Sequence, residues 1–408
     1  MPDEWAKATL GDVADVASSG VNKHVVPGET SVRLCNYLDV YRNRRLTNDM
    51  KFSRGSATAA EIARFTLRRN DVVITKDSET PDDIGVPTVV VDDLENLVCG
   101  YHLAIIRPGP TLDSHFLLHY LLSDQTKRHF LRTANGLTRF GLGTRAISSL
   151  TVPMPPADEQ AAIARILDAV DTVIEHTRAA VERALELERS LLEDAIDKLA
   201  APQRKLSEFT SDVRYGTSKA SSDRKWGNPV LRIPNVTGDR LSLDDLATVE
   251  LPPAEVARLR LDDGDLLLVR TNGNPNYVGR SVVFRHPDDR TWVYASYLIR
   301  VRLKDGLLSD YVNVFLGIER GRRELLRRVT TSAGNHNINS NSIRLLSLPV
   351  PRSTDAQEKI VNLAHTCRAR VDALRARNTA LETLKRSLMH DLLTGRVRVL
   401  NDTSVAAT

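Results

Sequence analysis

Two stretches of the chain carry apolar or small residues at alternating steps of three and four. Between Asp158 and about Leu199 they fall at Ile163, Ile166, Val170, Val173, Thr177, Ala180, Ala184, Leu187 and Leu191. Between Asp355 and Leu393 they fall at Ile360, Ala364, Cys367, Val371, Leu374, Asn378, Leu381, Leu384, Leu388 and Leu392. This spacing is that of a helix with one packed seam. Each arm, roughly 40 residues long, spans about 60 Å. Matched lengths and seams predict that the arms pair antiparallel within one molecule; pairing of each arm with a second molecule is the alternative. Pro153, Pro155 and Pro156 lead stiffly into the first arm, and Pro349 and Pro351 into the second. Ala200-Ala201-Pro202 ends the first and Thr394-Gly395 the second.

Outside the arms the pattern is of short strands separated by turns. Strand-like runs cover Asp71–Thr75, Thr88–Val91, Leu97–Arg107, Asp265–Arg270, Ser281–Arg285 and Trp292–Leu303, with short helical patterns at Ser114–Ser123 and Ser309–Leu316. There is no regular strand–helix alternation, so a doubly wound sheet is not expected. Much of this pattern occurs twice. Ile147 and Val152-Pro153-Met154-Pro155-Pro156 return as Ile343 and Leu348-Pro349-Val350-Pro351, with Pro153 and Pro349 lying 196 positions apart. Glu159-Gln160 is answered by Gln357-Glu358, and Arg189-Ser190-Leu191 by Arg386-Ser387-Leu388. Fainter matches join Leu10-Gly11-Asp12-Val13 to Leu206-Ser207-Glu208-Phe209, Asn70–Lys76 to Gly264–Arg270, and Cys99–Ile105 to Tyr294–Arg300. A near-constant offset marks a duplicated unit. Between these anchors the copies diverge, as a shared scaffold carrying different loops would.

The expected fold is therefore α+β: two pseudo-repeated mixed α/β domains joined by two long helices forming an intramolecular antiparallel coiled coil. The boundaries read as 1–156 and 202–352 for the domains, 157–201 and 353–396 for the helices, and 397–408 for a tail. The length of 408 residues allows each domain its own core. No apolar run approaches the roughly 18 residues needed to cross a bilayer, and Met1-Pro2-Asp3-Glu4-Trp5 lacks signal-peptide character, so a cytoplasmic location is expected. Cys35, Cys99 and Cys367 are isolated, with no metal-ligand spacing. A net charge of +4 is only mildly basic, so the placement of charge matters more than its sum.

The ordered, duplicated set of features resembles the specificity subunit of Type I restriction–modification systems. It rests on Trp5 with Leu10-Gly11-Asp12-Val13, on Asp265–Gly273 followed by Gly279-Arg280, on the Pro-rich lead-ins, and on Leu388–Val397 at the end. The resemblance spans the chain and implies a non-catalytic subunit that reads double-stranded DNA. Each variable domain would read one half of a split, asymmetric target. The helices would set the gap and dock the methyltransferase subunits, two in number, with restriction/translocase subunits completing the complex. It implies no cofactor on this chain, with S-adenosylmethionine, ATP and Mg on the partner subunits, and no membrane partner. The copies depart from one another at Asp355-Ala356-Gln357-Glu358 against Asp158-Glu159-Gln160, and at Lys76-Asp77-Ser78-Glu79 against Arg270-Thr271-Asn272-Gly273.

Absence agrees about chemistry: no Gly-x-x-x-x-Gly-Lys-Ser/Thr loop occurs. Asn274-Pro275-Asn276-Tyr277 is one substitution from the Asn-Pro-Pro-Tyr of adenine methyltransferases, but no Gly-rich cofactor loop accompanies it, and a turn is the expected reading. His115 and His119 have zinc-helix spacing without the metalloprotease glutamate, so a helix-surface or core pair is expected. Asp223-Arg224-Lys225 reads as a basic loop rather than a nuclease core. Loops mixing cations with amides suit phosphates and base edges together. In the first copy these supply Lys23, Arg42, Arg44, Arg45, Lys76, Arg139 and Arg145. In the second they supply Arg214, Tyr215, Lys219, Arg224, Lys225, Arg270, Asn272 and Asn274, and then the amide-rich run holding Asn335, His336, Asn337 and Asn339. The run Arg320–Arg328 has helical spacing and reads as a solvated or phosphate-facing helix. A stand-alone DNA-binding protein and a coiled-coil scaffold for proteins are the rival classes.

Overall fold

A computed structural model describes residues 5–80, 83–136, 138–223, 226–237, 240–332 and 334–399. The chain divides into two compact units, residues 1–177 with 376–408 and residues 178–375. The long helices, Ala157–Lys198 and Thr354–Leu393, each give one stretch to either unit.

The first unit is built on a sheet ordered Ala14–Ser18, Leu103–Pro108, Val72–Thr75, Pro87–Val90 and Arg45–Leu46. Strand residues alternate between faces. Val72 and Ile74 pack with Phe116, Ile163, Leu167 and Leu392, which come from a short helix and the two long ones. Val73 faces the other way, with Leu34 and Val98 of a second sheet, Ser53–Ala57, Thr30–Cys35 and Leu97–Cys99. Burial on both faces accounts for the continuously apolar run Val72-Val73-Ile74.

The second unit repeats the plan. Its sheet runs Thr210–Tyr215, Leu298–Leu303, Leu266–Val269 and Ser281–Val283. Leu266 and Leu268 pack with Leu192, Phe315 and Ile360. Leu267 and Val269 pack with Val230, Phe284 and Trp292.

The repeat extends to individual hydrogen bonds. Asp71, fully buried, takes both arms of Arg107 at 2.8 Å, and Asp265 takes Arg302 at 2.7 Å twice. Each aspartate follows a left-handed residue, Asn70 (φ 71°) or Gly264 (φ 87°), the two side-chain choices that tolerate that backbone. Gln160 accepts from the Asp113 N–H at 2.8 Å and donates to the Thr111 carbonyl at 3.0 Å. Gln357 accepts from the Leu308 N–H at 2.8 Å and donates to the Gly306 carbonyl at 2.9 Å. The paired glutamines thus fix each long helix to its own unit. Their acidic neighbours are not equivalent. Glu159 is buried and holds both arms of Arg398 at 2.8 Å and the Trp5 indole N–H at 3.2 Å. Ala356 stands in its place in the second copy.

Within each unit the long helices run antiparallel. In the first, Asp171 meets Lys385 at 2.5 Å while Glu159, earlier in its helix, meets Arg398 beyond the end of the other. In the second, Glu188 meets Arg368 at 3.3 Å, and the later Leu192 and Ile196 share a cluster with the earlier Ile360 and Ala364. The seam differs from the expected one in places. Leu187 is 58% and Leu384 49% exposed, and the charged neighbours Glu188 and Lys385 face inward instead. An inward charge matched by the facing helix fixes register as an apolar residue cannot.

The runs Leu97–Arg107 and Trp292–Leu303 each split into two strands, Leu97–Cys99 with Leu103–Pro108 and Val293–Tyr294 with Leu298–Leu303. Each break carries the chain from one sheet to the other. At the first break, a Cβ on Gly100 would meet the Cys35 carbonyl oxygen at 2.6 Å, so only glycine fits. The zinc-like spacing of His115 and His119 serves structure. Both rings bond one carboxylate of the long helix, Asp168, at 2.7 and 2.9 Å. Among the described residues no group of three such ligands is placed to hold a metal ion, and no helix is long and apolar enough to cross a membrane.

Candidate nucleic-acid interface

Where strand Leu266–Val269 leaves the sheet of the second unit, it continues into a small rim sheet. Thr271–Asn272 pairs with Asn335–Asn337, which pairs with Thr330–Ser332. The register sets Thr271 opposite Asn337 and Asn272 opposite His336. This sheet gathers Arg270, Asn272, Asn274, Asn335, His336 and Asn337 from two distant parts of the sequence. Tyr215 joins them, its ring 4.6 Å from the Arg270 guanidinium. Its hydroxyl accepts the Ser340 N–H at 2.9 Å.

The amides have distinct local duties. Asn272 and Asn274 accept from the N–H groups of Asn274 (2.9 Å) and Asn276 (3.0 Å), shaping the turn. Asn339 caps the helix Ser340–Arg344 by accepting the Ser342 N–H at 2.8 Å. Asn337 donates to the Asn335 carbonyl at 3.2 Å, and His336 lies 3.2 Å from the Thr331 hydroxyl. The Asn274–Tyr277 segment is this turn, held from behind by two arginines. Arg322 donates to the Val278 carbonyl at 2.9 Å and Arg280 to Asn276 at 3.1 Å. Burial, and then the neighbouring Arg280 charge, lower the Arg322 pKa. The Arg-rich helix, Glu319–Leu326, also turns Arg320 onto Asp197 at 2.5 Å.

The first unit builds the same rim from other side chains. Asp77–Ser78 pairs with Phe140–Gly141, so Asp77 occupies the place of Thr271 and Phe140 that of His336. The anchoring bonds recur: Lys76 N–H to His102 carbonyl at 2.9 Å and Arg270 N–H to Tyr297 carbonyl at 2.8 Å, then Leu142 N–H to Lys76 carbonyl at 2.7 Å and Ile338 N–H to Arg270 carbonyl at 2.9 Å. Lys76 is bound to Asp77 at 2.8 Å and lies 4.9 Å from the Tyr101 ring. His102 takes the same carboxylate at 2.8 Å. Burial pushes the Asp77 carboxyl up, but these two donors outweigh it and hold it below the usual carboxylate range. Beside this rim runs a groove of about 670 Å³, lined by Tyr37, Tyr41, Asp83, Tyr101, Arg139 and Phe140 among others.

The remaining sequence candidates take no part in the pairing of these rim strands. Arg45 turns to Asp168 of the long helix at 3.5 Å, and Arg44 raises the positive field around Lys385 of the other. Arg214 pairs with Asp212 at 3.3 Å. Lys23, Arg42, Arg145 and Lys219 are exposed on loops or helix ends. Arg224 and Lys225 lie outside the described residues. The sequence candidates did not include Asp77, Tyr101, His102 and Arg280, and Arg322, read there as part of a solvated or phosphate-facing helix, is turned onto the Val278 carbonyl. The departure of the copies at Asp77 and Thr271, visible in the sequence, is the signal that points to the first of these.

Known proteins share both the sequence pattern and the fold. Residues 2–186 match the family model of the Type I restriction modification DNA specificity domain. The specificity subunit of the Type I restriction enzyme EcoKI of Escherichia coli K12 is 25% identical over 284 residues, 65% of this chain. The match spans 61% of that relative's own length. Among solved structures, the S subunit of the M. genitalium Type I system superposes with a TM-score of 0.55 at 14% identity, covering 96% of this chain and 97% of that one. A chain from a structural study of type I R-M complex assembly and conformational transition gives 0.61 at 16% identity, over 97% and 99%. Residues 2–186 therefore match the specificity domain of Type I restriction–modification systems, and the chain as a whole has the fold of a solved S subunit of such a system.

Proposed function

We infer that this chain is the DNA-reading subunit of such a complex, each domain reading one half of a bipartite, asymmetric target. The observation that carries the reading is the pair of rims. One scaffold, equal down to its anchoring hydrogen bonds, presents Lys76, Asp77 and Phe140 in one copy and Arg270, Thr271 and His336 in the other. Different side chains on equivalent rigid strands are what two different sequence halves demand. The domains proposed are residues 1–156 and 202–352. The helices 157–201 and 353–396 set the gap between half-sites and dock two methyltransferase subunits. Catalysis, with S-adenosylmethionine, ATP and Mg, falls to those partners and to restriction/translocase subunits. Mapping methylated adenines in cells carrying this chain with its methyltransferase tests the reading. The expected result is one split sequence with two unlike halves; a single continuous or palindromic site would contradict it.

A further inference from the structure

Arg270, at the rim of the second unit, is unlike the other arginines of that unit's main sheet and rim. Arg280 donates to the Thr237 carbonyl at 2.9 Å, Arg322 to Val278 at 2.9 Å, Arg300 to Arg260 at 2.6 Å, and Arg302 pairs with Asp265 at 2.7 Å. Arg270, among the described residues, makes no ion pair, and its guanidinium has one long hydrogen bond, 3.4 Å to the Ser296 carbonyl. It is nevertheless ordered. Strands hold its backbone on both sides, through Tyr297 and Ile338. The ring of Tyr215 lies beneath its guanidinium at 4.6 Å, and the Ser340 N–H fixes that ring's hydroxyl. A half-buried, stacked guanidinium without a carboxylate is a planar fork waiting for two adjacent acceptors.

Phosphate oxygens and the O6/N7 edge of guanine both offer that pair. Two observations favour the base. The fork is restrained in plane and direction, which a phosphate contact does not need and which exposed Lys219 lacks. It also sits beside Asn272, His336 and Asn337, whose mixed donors and acceptors suit base edges and gain nothing at a phosphate. We propose that Arg270 is a specificity-determining residue that reads a guanine in the major groove of the second unit's half-site, through O6 and N7. Lys76, its counterpart, is bound by Asp77 and reads none in the first. The proposal rests on the DNA-reading function inferred above.

The test uses the full chain assembled with its methyltransferase partner and the target first defined from methylated adenines. Duplexes with each base pair of both half-sites substituted in turn, and one with 7-deazaguanine at each guanine, are titrated against wild type, Arg270→Ala and Arg270→Lys. The expected result is that wild type loses about 10- to 100-fold in affinity at one guanine of the second half-site. Both variants then lose that discrimination, while the first half-site is read unchanged. Lysine keeps the charge without the fork, so its failure separates base reading from phosphate binding. Uniform weakening by Arg270→Ala at every target, with a shallower salt dependence and rescue by Arg270→Lys, would assign the residue to phosphate and overturn the proposal. Unaltered discrimination in both variants would overturn it as well. If wild type itself shows no preference for the split target, the DNA-reading function fails rather than this residue's role.

Discussion

Asp77 and Thr271 occupy one place in the repeat and leave the neighbouring cation in opposite states. Lys76 is neutralised beside a carboxylate that stays ionised, whereas Arg270 keeps its charge for a ligand. Asp77→Asn should therefore release one cation at the first rim. The log–log salt dependence of DNA binding is expected to steepen by about one unit; an unchanged slope would mean that Lys76 does not face DNA. Glu159 acts on stability instead. The Arg398 guanidinium, chiefly, holds its carboxyl below the usual range, against some opposition from burial. A depressed folded value gives stability that is complete above the unfolded pKa and lost as pH falls through the folded one. Arg398→Ala should cost about 2–3 kcal/mol in urea unfolding near pH 7. The difference from wild type should narrow below about pH 4.5, the group's ordinary value. At this scale the sequence singled out residues that the structure gathers on one rim of the second unit, because amides and cations cluster there in the chain. It could not show that Arg45 and Arg214 turn onto Asp168 and Asp212, since those partners are distant or depend on side-chain direction.

Among the elements, the long helices were the most legible, because three-and-four spacing sustained over about 40 residues arises from little except a packed helix. Their seam was misread where charge replaces hydrophobicity: Glu188 and Lys385 face inward because each has an opposite charge on the facing helix. The short strands Thr30–Cys35 and Ser53–Ala57 escaped notice. Ser-Arg-Gly-Ser-Ala has little β character, and its partner strand Thr30–Cys35 is what makes it one. If the helices act as a spacer, four residues inserted at both Thr177 and Asn378 add about 6 Å. The target's central gap should then lengthen by about two base pairs at roughly 3.4 Å each, with both half-sites unchanged. Altered half-sites at the same gap would dismiss the spacer role.

For the whole molecule, duplication was readable because packing and hydrogen bonding preserve certain residues in register: Asp71 with Asp265, Gln160 with Gln357, and the Pro-rich lead-ins. The loops between them had no such constraint, and their placement had to come from strand pairing. The net charge of +4 is mild, so attraction to a polyanion has to come from where the cations are placed rather than from their sum. The central claim is that one scaffold, used twice, carries two independent readers. Replacing residues 203–350 with the equivalent segment of a relative of different specificity, followed by mapping of methylated adenines, tests it most directly. Two independent readers predict a new target in which one half is exchanged and the other is retained. A target changed in both halves would contradict them.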